Sequence, residues 1–295
     1  MRDAFSDCHP AVNFTFYIGA LILGMCLMHP LFLVCSLCLS LAYYKVLKRK
    51  LVSYMAGMGV VFVLLTVLNP LFNTYGETIL FTYWKGRVYT FEALCYGAAA
   101  AAMFVSVLTW FATYNEVMTS DKFLYCFGKA APSISLIFTM VLRLVPGFQR
   151  KTEQIAGARR CIGMSVENGT VFEKAEHGLT LVSALTSWAL EGGVVMADSM
   201  KSRGFGAGKR TSFSIYKMKR SDKGLLLLML CLFFMIVFCA SKGGMEVTYT
   251  PQMKMSGWKS PWTIIGSFSY FFYLLIPTGL QLREDVLWRI LKLKI

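Results

Sequence analysis

The sequence predicts an all-α polytopic membrane protein with about six transmembrane helices and a cytoplasmic domain of long amphipathic helices. The 295 residues are 56% hydrophobic and only 16% charged, whereas a soluble globular chain carries about 25% charged residues. Long apolar segments contain no charge, and the basic residues cluster between these segments. The mean hydropathy of +0.55 points the same way. This composition excludes a disordered chain, a collagen-like protein and an ordinary soluble enzyme.

The predicted spans are apolar segments near the length of roughly 20 helical residues that a bilayer core requires. The first uncharged segment, 14–44, is interrupted by His29 and Pro30. Proline breaks the helical hydrogen-bond ladder and disfavours helix at the residue before it, so we expect two short helices there. The six predicted spans are 14–28, 31–45, 51–68, 93–115, 224–241 and 260–282.

The distribution of basic residues predicts the orientation of these spans. Lys and Arg concentrate in 45–50, in the tail after residue 282 and in 118–223, which holds 16 Lys/Arg and 8 Asp/Glu. The connections around Lys85 and Lys254 are poorer in positive charge. The positive-inside rule places the three rich segments in the cytoplasm, so we expect a multi-pass protein of the cell membrane with both termini cytoplasmic. A single kinked helix over 14–44 would instead place the basic cluster 45–50 and the basic tail on opposite sides of the membrane. Topology explains much of the net charge of +14 without nucleic acid as a partner.

The chain is predicted to divide into three parts. Residues 1–117 hold about four transmembrane helices, 118–223 form the cytoplasmic domain, and 224–295 hold about two transmembrane helices and a basic tail. In the middle part, apolar residues at three- and four-residue spacing predict helices over about 132–160 and 171–202. The paired glycines at 192 and 193 are expected to loosen the middle of the second helix.

Both amphipathic helices are predicted to end in a small residue followed by arginine, with glycine shortly after. The two motifs are Ala158-Arg159-Arg160 and Ser202-Arg203-Gly204. In one interpretation they are ordinary helix ends, in which glycine takes the left-handed cap and arginine faces the negative end of the helix dipole. In the other, the planar guanidinium docks on carboxylates or carbonyls of a partner. The residues alone leave both interpretations open.

At these motifs the sequence resembles the T component of energy-coupling factor (ECF) transporters, whose two cytoplasmic coupling helices end in Ala-Arg-Gly. The segment 197–205 is similar to the family pattern Ala-x-x-Met-x-Ala-Arg-Gly-aromatic, and Lys209-Arg210-Thr211 also fits. His9-Pro10 and the segment 69–73 add to a resemblance that covers nearly the whole chain in order. Arg160 departs from the glycine of the first motif, and Ser202 departs from the alanine of the second.

The resemblance implies a transmembrane coupling subunit rather than an enzyme. In that family, the T component joins two cytoplasmic ATPases to a membrane S component that binds a vitamin, a vitamin precursor or a transition-metal ion. The expected partners are therefore two ATPases, an S component and membrane lipid. ATP and Mg²⁺ are expected on the ATPases, and no cofactor or metal is expected on this chain. The expected ATPase-docking residues are the two motif arginines and their neighbours, namely Arg159, Arg203, Ala158, Arg160, Ser202 and Gly204.

Two further groups of residues are candidate contacts of the S component. One is a run of small residues in the third long span, which would let another helix approach closely. The other is a pair of flexible methionines on the second amphipathic helix, which suit variable partners. The alternative for each group is packing inside this chain. The candidates are Gly97, Ala98, Ala101, Ala102, Met196 and Met200.

The competing functions are a stand-alone secondary carrier and a polytopic membrane enzyme. Intramembrane chemistry needs ionisable groups, and the uncharged runs from which the spans are predicted contain no Asp, Glu, Lys or Arg. His9, His29 and His177 have no metal-ligand spacing, and Cys35 and Cys38 have no histidine beside them. The glycine-rich segment 204–210 lacks the spacing of a phosphate loop, so nucleotide is expected on a partner.

Overall fold

The computed structural model describes residues 4–47, 51–73, 76, 78–83, 87–128, 131–164, 170–208, 216–243, 245, 247–248, 254–255 and 260–293. Within these ranges the chain forms nine α-helices and four short strands. The helices are α1 (Pro10–Cys26), α2 (Pro30–Leu47), α3 (Leu51–Phe72), α4 (Phe91–Val117), α5 (Ser120–Gly128), α6 (Pro132–Cys161), α7 (Val171–Ser202), α8 (Arg220–Ser241) and α9 (Pro261–Leu293). The strands form two antiparallel pairs, β1 (Ile79–Tyr83) with β2 (Arg87–Thr90) and β3 (Val247–Thr248) with β4 (Lys254–Met255). The predicted fold class, an all-α polytopic membrane protein, is confirmed.

Each of the six predicted spans coincides with a helix, and the uncharged segment 14–44 divides at His29 and Pro30 as expected. The first helix begins earlier than predicted, at Pro10 instead of residue 14. His9 is its N-cap, and the ring Nδ1 accepts a hydrogen bond from the Ala11 N–H at 3.2 Å. Proline at the first helical position favours this start because its fixed φ suits the helix.

Seven helices in the described part of the chain are long and apolar enough to cross a membrane. Five are predicted spans (α2, α3, α4, α8 and α9), and the other two are the amphipathic helices α6 and α7. The span predicted at 14–28 corresponds to α1, which is a shorter apolar helix of 17 residues. Length and composition do not distinguish an amphipathic helix with a wide apolar face from a helix that crosses the membrane. The cytoplasmic location of α6 and α7 therefore stays a prediction.

The orientation of the spans also stays a prediction, as does the division into three parts. Several basic residues on which the predicted orientation depends lie outside the described residues, namely Lys48, Arg49, Lys50, Lys85, Lys259 and Lys294. By its contacts the chain divides into two compact units: a bundle unit (Met1–Phe123 and Tyr216–Ile295) and a hairpin unit (Leu124–Ile215).

The core of the bundle unit is aromatic and centres on Trp110 of α4. Its ring lies 5.6 Å from Phe16 of α1 and 6.4 Å from Tyr43 of α2, measured between ring centroids. The Trp110 indole N–H donates to Ser36 Oγ of α2 at 3.1 Å, and Ser36 shares a 2.6 Å hydrogen bond with Ser106 of α4. Three helices are thus joined by both ring packing and hydrogen bonds.

Helix α9 joins this core through Tyr273. The ring stacks on Phe16 with centroids 5.4 Å apart, and the hydroxyl donates to the Phe16 carbonyl at 3.0 Å. Gly19, one turn further along α1, leaves the room that the phenol occupies. A glycine at this point lets the two helices approach closely.

Lys122 fixes the segment before α1 to the end of α4. Its buried ammonium donates to the Ser6 carbonyl at 2.6 Å, the Ser6 hydroxyl at 2.9 Å and the Val117 carbonyl at 2.8 Å. A buried cation is stable only when its donors are satisfied, and here three acceptors surround it.

We predict that Gly19→Ala destabilises the bundle unit. The added Cβ would lie 2.9 Å from Tyr273 Cζ and would also collide with the hydroxyl, which is held by its bond to Phe16. Overpacking of this kind costs roughly 1–3 kcal/mol. The measurement is thermal unfolding of the full chain in detergent.

Gly24→Ala is the matched control on the same helix, since its Cβ would meet no heavy atom within 4 Å. We expect its midpoint to be equal to wild type or higher. Equal midpoints for Gly19→Ala and wild type would contradict the close contact with Tyr273.

Candidate functional site

The candidate site is built on α6 and α7, which pack as an antiparallel hairpin. Phe148 of α6 meets Trp188 of α7 edge-to-face with ring centroids 5.4 Å apart, and Lys151 Nζ lies 5.8 Å from the Trp188 ring centroid. Further along, Arg159 of α6 reaches His177 of α7. The later residue of α6, Arg159, contacts the earlier residue of α7, His177, so the two helices run in opposite directions.

The hairpin has an exposed apolar surface. Neither α6 nor α7 has a fully buried side chain among the described residues. Among the apolar residues of the two helices, Phe148, Leu185 and Met196 are half-buried, whereas Ile137 and Val182 are more than half exposed. Two helices alone bury only a narrow seam between them, and the remaining apolar side chains stay on the surface of this unit.

The second motif forms the C-terminal cap of α7. The Phe205 N–H donates to the Met200 carbonyl at 3.0 Å, and the Gly204 N–H donates to the Lys201 carbonyl at 2.9 Å. Gly204 has φ of +78°. These two bonds and the left-handed glycine define a Schellman motif, in which Arg203 is the C-cap residue.

The first motif also leads into a Schellman cap, but at a different position. The Met164 N–H donates to the Arg159 carbonyl at 3.0 Å, the Gly163 N–H donates to the Arg160 carbonyl at 3.1 Å, and Gly163 has φ of +77°. Arg160 lies inside the helix, because α6 continues to Cys161 and Gly163 takes the left-handed position. The predicted similarity of the two helix ends is therefore correct for the cap but not for the arginine, since Arg159 lies three residues before the C-cap.

The two arginine side chains have different surroundings. Arg203 is exposed, and its side chain has no hydrogen-bond partner among the described residues. Arg159 is half-buried, and its Nη2 lies 3.4 Å from His177 Nδ1. Ala158, Arg160, Ser202 and Gly204 are exposed beside them. Lys209, Arg210 and Thr211, which added to the second motif, lie outside the described residues.

The two arginines lie at opposite ends of the hairpin. Arg159 is level with His177, near the start of α7, and Arg203 follows the last residue of α7. An α-helix rises about 1.5 Å per residue, so α7 separates these levels by roughly 39 Å. The antiparallel packing thus presents one arginine at each end of a rod.

The small residues of α4 lie largely inside the bundle unit. A Cβ at Gly97 would lie 2.9 Å from Asn69 Cβ and 3.0 Å from the Thr66 carbonyl oxygen, so Gly97 packs against α3. Ala101 is buried and Ala102 packs against the Leu33–Ala99 cluster. For these three residues the geometry favours internal packing.

Ala98 is half-buried, as are Met196 and Met200 on α7. Their proposed contact with an S component stays a prediction.

Cysteine and metal chemistry add no site in the described part of the chain. The nine cysteines are free thiols. Among the described residues, no group of three or more His, Cys, Asp or Glu side chains is arranged to hold a metal ion.

The sequence pattern does not predict the two contacts across the hairpin, which are made by His177 and Trp188 of α7. The spacing of apolar residues gives the face of each helix, but it does not give the register between two helices. His177 and Trp188 are 11 residues apart on α7, and three turns place them on one face. This 11-residue spacing is the feature of the sequence that indicates a shared face for His177 and Trp188.

No protein-family model matches the chain. It is 26% identical over 125 residues to an uncharacterized protein of Mycoplasma pneumoniae, which covers 42% of this chain and 29% of that protein. It is 28% identical over 106 residues to the energy-coupling factor transporter transmembrane protein EcfT of Exiguobacterium sibiricum, covering 36% of this chain and 40% of that protein. A 97-residue match to the EcfT of Leuconostoc gelidum has 29% identity and covers 32% of this chain and 36% of that protein.

The matched segments thus span less than half of each relative's length. The long apolar helices make the chain a multi-pass membrane protein. Over about a third of its length it is distantly similar to transmembrane proteins of energy-coupling factor transporters.

We predict that Gly204→Ala loosens the end of α7. Alanine at φ of +78° is strained by about 1 kcal/mol, which weakens the two cap hydrogen bonds. Amide hydrogen exchange over 196–205 is expected to accelerate. Gly193→Ala is the control, because its Cβ meets nothing within 4 Å and φ is not positive there; we expect it to slow exchange, since alanine favours helix. Equal exchange in both variants would contradict the cap.

A second prediction separates internal packing from partner contact at Gly97. Gly97→Ala should lower the thermal stability of the isolated chain, because the Cβ meets a backbone carbonyl of α3. Gly59→Ala inside α3, where an added Cβ would meet nothing within 4 Å, should keep or raise the thermal midpoint of the isolated chain. If Gly97→Ala kept its midpoint but lost a co-purifying membrane partner, the contact interpretation would replace internal packing.

Proposed function

We propose that this chain is the transmembrane coupling subunit of an ECF-type ABC importer. It would transmit the ATP-driven motion of two cytoplasmic ATPases to a substrate-binding S component. The observation that carries the proposal is the pair of arginine-bearing helix ends at opposite ends of one antiparallel hairpin. The distant similarity to EcfT proteins supports it.

Arg203 is suited to dock on an ATPase. It is exposed at the negative end of a long helix, and the Schellman turn fixes the backbone on which it stands. Ser202 beside it is small, which leaves room for a close approach. A guanidinium in this position can bind a carboxylate or backbone carbonyls through two parallel N–H donors.

The length of the hairpin fits two docking partners. One protein cannot easily hold both arginines when roughly 39 Å of helix separates them. Two ATPases can each hold one, and a change in their separation then acts on both ends of the hairpin. Helices transmit such a displacement better than a flexible loop. ATP and Mg²⁺ would be bound by the ATPases, which makes this chain a non-catalytic subunit.

The remaining parts of the proposal concern the membrane and the cargo. The cargo class would be a vitamin, a vitamin precursor or a transition-metal ion, selected by the S component. Ala98, Met196 and Met200 are the candidate contacts that internal packing does not fully occupy. The basic segments would face the cytoplasm, with both termini on that side.

We predict that Arg203→Ala weakens ATPase docking more than Arg159→Ala. Truncating a desolvated, hydrogen-bonded arginine at an interface costs roughly 2–5 kcal/mol. Arg160 follows Arg159 on the same exposed helix end and can take over part of its role. The measurement is affinity purification of the tagged full chain from its native membrane, with mass spectrometry of the retained proteins.

Arg150→Ala is the matched control, since Arg150 is an exposed arginine of α6 outside both motifs. The wild type and this control should retain two ATPases and a small membrane protein, and the double variant Arg159→Ala/Arg203→Ala should lose the ATPases. Equal ATPase loss in both single variants would refute the ranking. A wild-type chain without ATPases, or ATPases indifferent to both arginines, would refute the proposed function.

A further inference from the structure

The Arg159 guanidinium is held against α7 rather than extended from the helix end. Its Nη2 lies 3.4 Å from His177 Nδ1. Its Nε is enclosed from solvent and has no hydrogen-bond partner in the described part of the chain. Arg203, at the other end of the hairpin, is exposed and makes no such contact with any residue that the structure describes.

This contact is a hydrogen bond in only one form of the imidazole. Guanidinium nitrogens only donate hydrogen bonds, so His177 Nδ1 would have to be the acceptor. The hydrogen bond therefore forms with the neutral tautomer that carries its proton on Nε2. A proton on Nδ1 would remove the acceptor and place two cations in contact.

We propose that His177 is a positioning residue that retains Arg159 against α7 while the imidazole is neutral, and that protonation of His177 or a carboxylate from a partner releases it. The role of Arg159 in docking rests on the proposed function. The retention itself is a property of this chain alone.

The charged groups around His177 give the sign of the pH effect. The Arg159 guanidinium faces the ring from α6, and the Glu173 carboxylate, one turn earlier on α7, interacts with it electrostatically. Glu173 is fixed by the N-terminal capping box, in which it accepts from the Thr170 N–H at 2.8 Å. Lys174 and Glu176 flank the site on α7. An imidazolium is repelled by Arg159 and attracted by Glu173, so acid favours release.

The chemistry of the releasing partner follows from the two arginine atoms involved. Nε lacks an acceptor and Nη2 has a long contact, and these two N–H groups point along one side of the guanidinium. A carboxylate offers two oxygens to that side and replaces one weak neutral acceptor by two charged ones. Arg203 is exposed and can bind a carboxylate without first giving up an acceptor of this kind. The two docking arginines are therefore unequal: Arg203 is ready to bind, and Arg159 must first leave His177.

The test is arginine-selective labelling of the full chain, purified in detergent without partners. Phenylglyoxal modification is followed by peptide mass spectrometry, and the ratio of labelling at Arg159 to that at Arg203 is the readout. Arg203 is thus an internal control for reagent reactivity at each pH. In the wild type at about pH 8 we expect Arg159 to be protected. His177→Ala should raise the ratio about fivefold, the factor for loss of one modest hydrogen bond.

Two further variants separate positioning from a merely structural role. His177→Gln keeps an acceptor but does not titrate, so it should restore protection and show a flat ratio from about pH 8 to about pH 6, where the wild-type ratio rises. Glu176→Gln, an exposed neighbour, should behave like the wild type.

Equal labelling of Arg159 and Arg203 in the wild type, or an unchanged ratio in His177→Ala, would overturn the proposal. If His177→Ala does not fold, the pH response of wild type against His177→Gln decides alone. Because no ATPase is present, failure here leaves the proposed function intact. Failure to capture ATPases in the purification leaves the retention of Arg159 intact.

Discussion

The Trp110 indole is the contact on which the bundle unit depends, because it joins three helices through both its ring and its N–H. In a bilayer, every buried donor needs an acceptor within the protein. Ser36 supplies that acceptor from α2 and is itself paired with Ser106 of α4. The same indole packs on Phe16 of α1, and Phe16 receives both the ring and the hydroxyl of Tyr273 from α9. Helices α1, α2, α4 and α9 are thus held in register by a few polar atoms among aromatic rings.

In the hairpin unit, the two glycine caps fix the helix ends at which the candidate docking arginines lie. A left-handed residue ends each helix, and glycine takes that conformation without strain. Position 204 is glycine, so α7 stops directly after Arg203. Position 160 is arginine and the left-handed glycine comes only at Gly163, so α6 continues to Cys161 and Arg159 lies inside its last turn. Arg159 Nη2 lies 3.4 Å from His177 Nδ1 of α7, whereas Arg203 is exposed.

The sequence predicts local features well and contacts between helices poorly. The break at Pro30 follows from the geometry of proline, and both glycine caps follow from the glycines after the arginines. The uncharged apolar run predicts that α1 starts at residue 14, whereas the helix begins at Pro10 and buries the polar Asn13 within its first turns. The Arg159–His177 contact depends on the register of two helices, which the periodicity of either helix does not contain. The seven span-like helices show the same limit, since composition does not reveal what covers an apolar face.

The hairpin is strong at its caps and weak near its middle, which matters for a subunit proposed to transmit motion. Pro146 removes one backbone hydrogen bond from α6, and Gly147 follows it. Gly192 and Gly193 lie inside α7 with nothing within 4 Å of an added Cβ and no positive φ, so neither packing nor turn geometry requires glycine there. In the antiparallel register, both weak points fall on the same side of the Phe148–Trp188 contact. Each interior glycine lowers helix stability by about 0.5–1 kcal/mol relative to alanine. If the proposed ATPases act at the two arginines, we expect any bending of the hairpin to occur beside Trp188, where these helix-weakening residues lie.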